Sequence, residues 1–306
     1  MQRIFFIGLT IVFAGSTLHC GPEAKNEVSV TARVMTYNVL CSFCDDAYDP
    51  WEERLLAFKD IFERHDPDLI GLQELTFPEE VTQLLALKNG YAAVFFVGEE
   101  AGPLGLVEYP DATIFYRTAR FELLEQGFYW LSPTPDVAWS SGFADGLQFP
   151  RIVAWARFLE ITSQHQFYFA TTHFDNNPPS QDKSAPLLLE RTEPFDSRMP
   201  IIISGDFNSQ PYDPAYKILV EGVSGQGFHL VNAFDLAAEW SIDTNQVPAP
   251  DYDVAGRIDH LFVAGQAIEW VCPDWTVDMH VYGQNQMYPS DHLAITSELV
   301  FTYPDK

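Results

Sequence analysis

The stretch IIISGDFNSQP, Ile201 to Pro211, runs three β-branched residues straight into Gly205, then an acid, an aromatic, an amide and, after two more residues, a proline. The apolar run reads as a buried strand with Asp206 and Asn208 at its tip. Residues two apart on an extended segment project to the same side. One side of this tip therefore carries a carboxylate, which accepts hydrogen bonds or holds a cation, and a carboxamide, which donates and accepts. An isolated D-x-N also builds an Asx turn that caps a strand, so the rest of the chain has to decide between chemistry and a turn.

Working outward, strand-like and helix-like segments alternate unevenly. VTARVMTYNVL (Val30 to Leu40) reads as a strand ending in polar residues, and DLIGLQEL as a short buried strand stopping at Gln73-Glu74. Between them, Trp51, Leu55, Phe58 and Phe62 follow Pro50 at helical spacing. PEEVTQLLALKNG is a second helix, with acids in its first turn and Gly90 after its end. SAPLLLERT reads as helical but interrupted at Pro186, and DPAYKILVEG as a helix. Further strands centre on YAAVFFV, ATIFYR, FELLEQGFYWL, IVAWARFLEI, QFYFATTHF, RIDHLFV, AIEWVCPDWTV and HLAITSELVF, while Val94 to Gly105 and Asp243 to Asp253 read as loops. Two strand-rich halves flanked by helices imply two packed sheets with helices outside, an α+β class.

Several strand ends carry chemistry: Asn38, Glu74, His173, the Asp206/Asn208 pair, Asp259-His260 and Asp291-His292. Each alone is a turn former or a satisfied core residue. Together they would crowd amides, carboxylates and imidazoles at one sheet rim, which is costly without a cation. Hard oxygens with few histidines favour Mg²⁺ or Mn²⁺ over zinc.

The chain has 306 residues, 47% hydrophobic and 14% aromatic, with no long linker or repeat dividing it. That is enough for one large core. Its first 20 residues, MQRIFFIGLTIVFAGSTLHC, hold one basic residue, an apolar run too short to span a bilayer, and then small residues. They read as a signal peptide (1–20) ending at a candidate lipobox cysteine, Cys20, followed by a short linker (21–29) and a domain over 30–306. His19 and Thr17 depart from the usual lipobox. Acylation of Cys20 would seat the chain on the outer leaflet of a membrane; otherwise the expectation is a periplasmic or secreted protein. CSFC has C-x-x-C spacing but no second pair to complete a zinc site. A disulfide within it, or from either cysteine to Cys272, is open in an oxidising compartment. The formal charge of −26, from 43 acidic and 17 basic residues, repels polyanions and offers no basic stripe for a duplex.

TYNV, LQEL, TTHFDN, SGDFNSQP, RIDHLFV and PSDHLAI, in this order, resemble the endonuclease/exonuclease/phosphatase superfamily from about Val30 to Phe301. That family includes deoxyribonucleases, abasic-site endonucleases, inositol polyphosphate 5-phosphatases, neutral sphingomyelinases and deadenylases. TTHFDN followed by DKSAPLLL is most similar to bacterial members reading THFDH, with Asn176 in place of their second histidine. The resemblance implies a four-layer αββα sandwich of two packed, mainly antiparallel sheets, and metal-dependent cleavage of a phosphate ester. Carried over, Glu74 would be the principal metal ligand, helped by Asn38 and Asp291. Asp206 would orient or deprotonate the attacking water, Asn208 would hold a phosphoryl oxygen, His292, oriented by Asp259, would complete the acid/base or phosphate-binding pair, and His173 would donate to the phosphate or leaving oxygen. Tyr116 and Arg151 would contact the phosphate.

The expected enzyme is a monomeric phosphoric ester hydrolase acting on a mono- or diester. Alternatives are an extracellular nuclease, or a sphingomyelinase-like phospholipase inserting Trp130, Trp139 and Phe143 into a membrane. A different class, an inactive binding or adhesion lipoprotein, is opposed by retention of every expected catalytic position. The loops Gly98 to Asp111, Pro133 to Pro150 and Trp240 to Asp253 carry no readable motif, and the acidic run CDDAYDP is a solvated loop or a second metal site.

Overall fold

The computed structural model describes residues 27–44, 47–102, 105–144, 149–197, 199–225 and 227–304. The signal segment and Cys20 lie outside these residues, as do Asp45 and Asp46 of the acidic run. In chain order the strands are β1 (Val28–Asn38), β2 (Leu69–Gln73), β3 (Tyr91–Val97), β4 (Glu108–Arg117), β5 (Phe121–Trp130), β6 (Ile152–Glu160) and β7 (His165–His173). β8 (Ile201–Asp206), β9 (Val231–Asn232), β10 (Ala237–Asp243), β11 (Asp259–Ala264), β12 (Glu269–Asp278) and β13 (Ile295–Tyr303) follow. The helices are α1 (Trp51–His65), α2 (Pro78–Leu87), α3 (Ser180–Thr192), α4 (Pro214–Glu221) and the single turn α5 (Ala233–Leu236).

Among the described residues the strands form a seven-stranded sheet, β10-β12-β13-β1-β2-β4-β3, and a six-stranded one, β5-β6-β7-β8-β11-β9. β1/β2, β7/β8 and β10/β12 are parallel and the other pairs antiparallel. The two-residue period of a strand sorts each one between two cores. β1 sends Val30, Ala32 and Val34 into the space between the sheets, and Met35, Tyr37 and Val39 to the other face, against Phe58 and Phe62 of α1 and Val81 of α2. β8 sends Ile202 between the sheets, and Ile201 and Ile203 outward to Leu188 of α3 and Leu219 of α4. Three cores separated by two sheets make the four-layer sandwich. Full burial of each such side chain is worth about 1.5–3 kcal/mol.

The sheets approach closely beneath one end. A Cβ at Gly71 would stand 2.0 Å from Ser204 Oγ and 2.4 Å from Thr171 Oγ1, so β2 can lie this near β7 and β8 only with glycine there. Beside it, Gln73 Nε2 donates to Thr171 Oγ1 at 2.9 Å, a polar bond between the two sheets.

Three local expectations change, and two open alternatives resolve. Pro186 does not break α3: it costs one helical hydrogen bond, but Ala185, Leu188 and Leu189 are buried against the sheet and hold the helix together. Val94 to Val97 completes β3, and Trp240 to Asp243 belongs to the edge strand β10, whose exposed faces hide any alternation. Trp130 is buried, and Trp139 packs on Phe96, Tyr109 and Trp130 at 5.2–5.5 Å between ring centroids. These two tryptophans are packing residues, not an insertion hairpin. Cys41 and Cys44 are joined in a disulfide, whereas Cys272 is a buried free thiol beside Ser297 Oγ at 3.0 Å. No helix among the described residues is long and apolar enough to cross a membrane.

Candidate active site

The inward parity of five strands continues past their apolar residues and ends on polar ones. Val34 leads two by two to Asn38, Leu69 to Gln73, Phe169 to His173 and Ile202 to Asp206, while β11 begins with Asp259 on the side of Leu261. Register brings these ends level: Asn38 pairs with Gln73, and His173 and Asp259 flank Asp206 on either side. A buried polar cluster therefore closes one end of the space between the sheets.

Asp206 is its centre. Its Oδ1 accepts the Asn208 backbone N–H at 2.9 Å, the Asx turn anticipated for this tip, and its Oδ2 accepts from Asn38 Nδ2 at 3.1 Å. The same Oδ2 lies 3.5 Å from His173 Nε2 and 3.6 Å from His292 Nε2. Asn208 Nδ2 donates to the Phe174 carbonyl at 2.8 Å. Turn and cluster thus coexist in the D-x-N.

His292 Nδ1 bonds Asp259 Oδ2 at 2.8 Å. Burial works against a charge on His292, but Asp259, with Asp206 and Asp291 adding to it, prevails and pushes its pKa up to about 10. Burial also pushes the Asp259 carboxyl up, with the His292 contact pulling the other way. The pair keeps a proton through neutral pH. Asp259 Oδ1 is buried with no hydrogen-bond partner among the described residues, a lone pair left for something else.

Glu74 and Asn208 both take left-handed backbone conformations, φ 68° and 45°. Each such non-glycine residue costs on the order of 1–3 kcal/mol and needs surroundings that enforce it. Here the Glu74 N–H is held by the Asp111 carbonyl at 3.1 Å and the Asn208 N–H by Asp206. The turn aims the half-buried Glu74 carboxylate at the cluster, 3.9 Å from His173 Nε2. Asp291 is exposed, next to His292 in sequence, with its Oδ1 3.4 Å from Ser290 Oγ. Ser290 donates its hydroxyl to the Asn38 carbonyl at 2.8 Å, and buried Arg54 gathers the carbonyls of Leu40, Cys41 and Pro289. These bonds lock the loop after β1 to the loop carrying Asp291 and His292.

Arg151 is no solvated edge charge. Its Nη1 lies 3.2 Å from Asp111 Oδ1 and 2.9 Å from His173 Nδ1, and Asp111 Oδ1 is 3.1 Å from that same nitrogen. Burial opposes the Asp111 charge, but Arg151 and His173 outweigh it and hold the carboxyl below its ordinary range. Asp111 escaped the sequence reading because it was read as the end of the loop Gly98 to Asp111, and it lies off the inward alternation of β4. It is the fourth residue of β4, inside the buried run that begins at Tyr109.

Tyr116 is a correction. It pairs with Leu69 while Ala112 pairs with Gln73, so it sits four residues down β4, roughly 13 Å from the polar end. Its ring packs 4.8 Å from Phe158 in the core between the sheets. That position is in the core and away from the rim. His260, beside Asp259, faces the other core; burial drives its pKa down to about 3, and it bonds the Ser209 carbonyl at 2.9 Å as a structural group. Asn176 is exposed.

Among the described residues two groups bring three His/Asp ligand atoms within 4.8 Å of one another: Asp206–Asp259–His292 and His65–Asp243–Asp278. The second already holds a guanidinium, since Arg64 bonds both Asp243 and Asp278, and it staples α1 to the ends of β10 and β12. The first holds no guanidinium; its positive charge is the proton that the Asp259–His292 pair keeps. With Asn38, Glu74 and Asp291 around it, its hard oxygens fit a divalent ion.

The sequence profile of the Endonuclease/Exonuclease/phosphatase family matches residues 35–292, and the chain belongs to that family. Its members are hydrolases of phosphoester bonds and generally require a divalent metal, and this chain is a phosphoric ester hydrolase. A family protein from Bacteroides thetaiotaomicron superposes with TM-score 0.73 at 27% identity, over 90% of this chain and 96% of that one. The mannosyl-6-phosphatase of the same organism gives TM-score 0.71 at 27% identity, over 88% and 99%. Xenopus laevis Nocturnin is 23% identical over 91% of this chain and 75% of its own length.

Proposed function

We propose that this chain is an exported, divalent-metal-dependent phosphoesterase that hydrolyses a phosphate mono- or diester by in-line attack of water. The observation that carries the reading is the Asp206 carboxylate, held by Asn38 and Asn208 and faced by the imidazoles of His173 and His292. Glu74, with Asn38 and Asp291, would hold Mg²⁺ or Mn²⁺. Such an ion neutralises charge on the phosphoryl oxygens when bound. Asp206 orients a water and takes its proton, Asn208 donates to a phosphoryl oxygen, and protonated His292, fixed by Asp259, supplies positive charge opposite. His173, backed by Asp111 and Arg151, donates to the phosphate or to the leaving oxygen. The −26 charge favours a small ester over a duplex.

The test is a panel of phosphate esters turned over with Mg²⁺ and with EDTA, together with calorimetric Mg²⁺ binding to Glu74→Gln. Metal-dependent hydrolysis, lost with weakened Mg²⁺ binding in the variant, is expected. Unchanged Mg²⁺ affinity would remove Glu74 from the ligand set. We also propose acylation at Cys20: wild type should partition into detergent and Cys20→Ala into the aqueous phase. Equal release of both forms into the medium would mean ordinary secretion.

A further inference from the structure

A cavity of about 360 Å³ opens directly beside the rim, and its lining divides sharply in character. Glu74, Asp111 and Arg151 form one side, while Phe43, Phe77, Tyr109 and Phe149 form the rest together with apolar neighbours. Three of these rings are exposed, Phe43 at 63%, Phe149 at 58% and Phe77 at 36%. Single exposed apolar residues mean little, but three gathered at one mouth mark a binding surface. Phe43 and Phe77 already contact one another, with ring centroids 5.7 Å apart, and the Cys41–Cys44 disulfide holds the loop that carries Phe43.

We infer that this cavity is the specificity subsite of the phosphoesterase and takes a planar aromatic ring esterified to the phosphate, a nucleobase-bearing or simple aryl group. The inference rests on the reading of the rim as the catalytic centre. Ring faces offer stacking and apolar burial, which suit a flat ring. A sugar fits badly here. Its hydroxyls would be buried against phenyl rings, and of the polar groups lining the cavity beside Glu74 and Thr76, Asp111 and Arg151 already bond each other. Each hydroxyl left without a partner costs binding, so the sugar ester named for the similar Bacteroides phosphatase is disfavoured in this pocket. A flexible acyl chain gains burial but loses chain entropy and does not stack. The pocket also explains how an acidic protein recognises its ester: it grips an uncharged ring rather than additional phosphates.

The experiment separates binding from turnover. Titration calorimetry of the full chain in Mg²⁺ would compare phenylphosphonate and AMP with methylphosphonate and mannose 6-phosphate. Stacking on aromatic side chains supports a margin of about tenfold or more for the aromatic pair. Phe77→Ala/Phe149→Ala should erase most of that margin while methylphosphonate binding and melting temperature hold, since Phe149 is on the surface and Phe77 at its edge. AMP above phenylphosphonate identifies a nucleobase, and the reverse a simple aryl group; both uphold the subsite. Equal binding of all four ligands, or a margin that survives the double variant, overturns it. Aromatic preference in binding with no ester cleaved in the Mg²⁺ panel would uphold the subsite and defeat the phosphoesterase reading instead.

Discussion

Asp206→Asn tests whether the tip of β8 does chemistry or only ends a strand. The substitution keeps shape and removes charge. The new carboxamide oxygen can still accept the Asn208 N–H, which now bonds Oδ1 at 2.9 Å. Its NH₂ arm, however, replaces the oxygen that accepts from Asn38 Nδ2 at 3.1 Å, so donor faces donor. One buried donor left unmet costs about 1–3 kcal/mol of stability. The catalytic loss should be larger and separate. An anion 3.5 Å from one imidazole and 3.6 Å from another disappears, and with it the acceptor for the water's proton. General acid–base help is worth about 10²–10⁴ in rate.

The assay is kcat per folded molecule, with melting temperature and Mg²⁺ calorimetry on the same samples. Asp206→Asn should keep its metal, melt somewhat early and lose at least about 10² in kcat. His292→Ala should fall comparably. Because the two groups share one oxygen's surroundings, the double variant should lose much less than the product of the singles. A variant that melts early yet turns over normally per folded molecule would reduce SGDFNSQP to a strand cap.

The remaining predictions concern stability. Burial raises the Asp278 carboxyl, but His65 and Arg64 outweigh it and hold it down at about 2, against an ordinary 3.8. The folded value is the lower one, so this contributes about 2 kcal/mol above about pH 4 and fades as pH falls towards 2. In urea unfolding Asp278→Asn should lose that amount at pH 7, with the gap to wild type about halved by pH 3; a gap constant with pH would refute the ion-pair account. Gly71→Ala should cost about 1–3 kcal/mol by chemical denaturation, because its methyl overpacks Ser204 and Thr171 where the sheets meet. Removing both Cys41 and Cys44 as serines should cost about 2 kcal/mol or less, since the closed loop is so short, and should weaken aromatic ligands more than methylphosphonate by freeing Phe43.

What the sequence disclosed and what it hid follow from the same two-residue period. Alternation is local, so it marked which side chains of IIISGD and RIDHLFV face inward, and the polar residue at each strand's end stood out from an apolar run. It carried Asn38, His173, Asp206 and Asp259 to one rim without any knowledge of pairing. Tyr116 was carried over from the family resemblance, and alternation could not correct it, because parity fixes a face and not a height along the strand. Height comes from register, here the pairing of Leu69 with Tyr116 across β2 and β4, and register depends on partners far away in the chain. Asp111 failed in the opposite way: register puts it at the rim, but it lies off the alternation, and its partners Arg151 and His173 are 40 and 62 residues distant. The aromatic cavity is further still from the sequence, since it is assembled from the loop after β1, the segment after β2, the start of β4 and the loop before β6. No periodicity links these loops. They meet only because the strands they extend were already brought level at Asn38, Gln73 and Asp206.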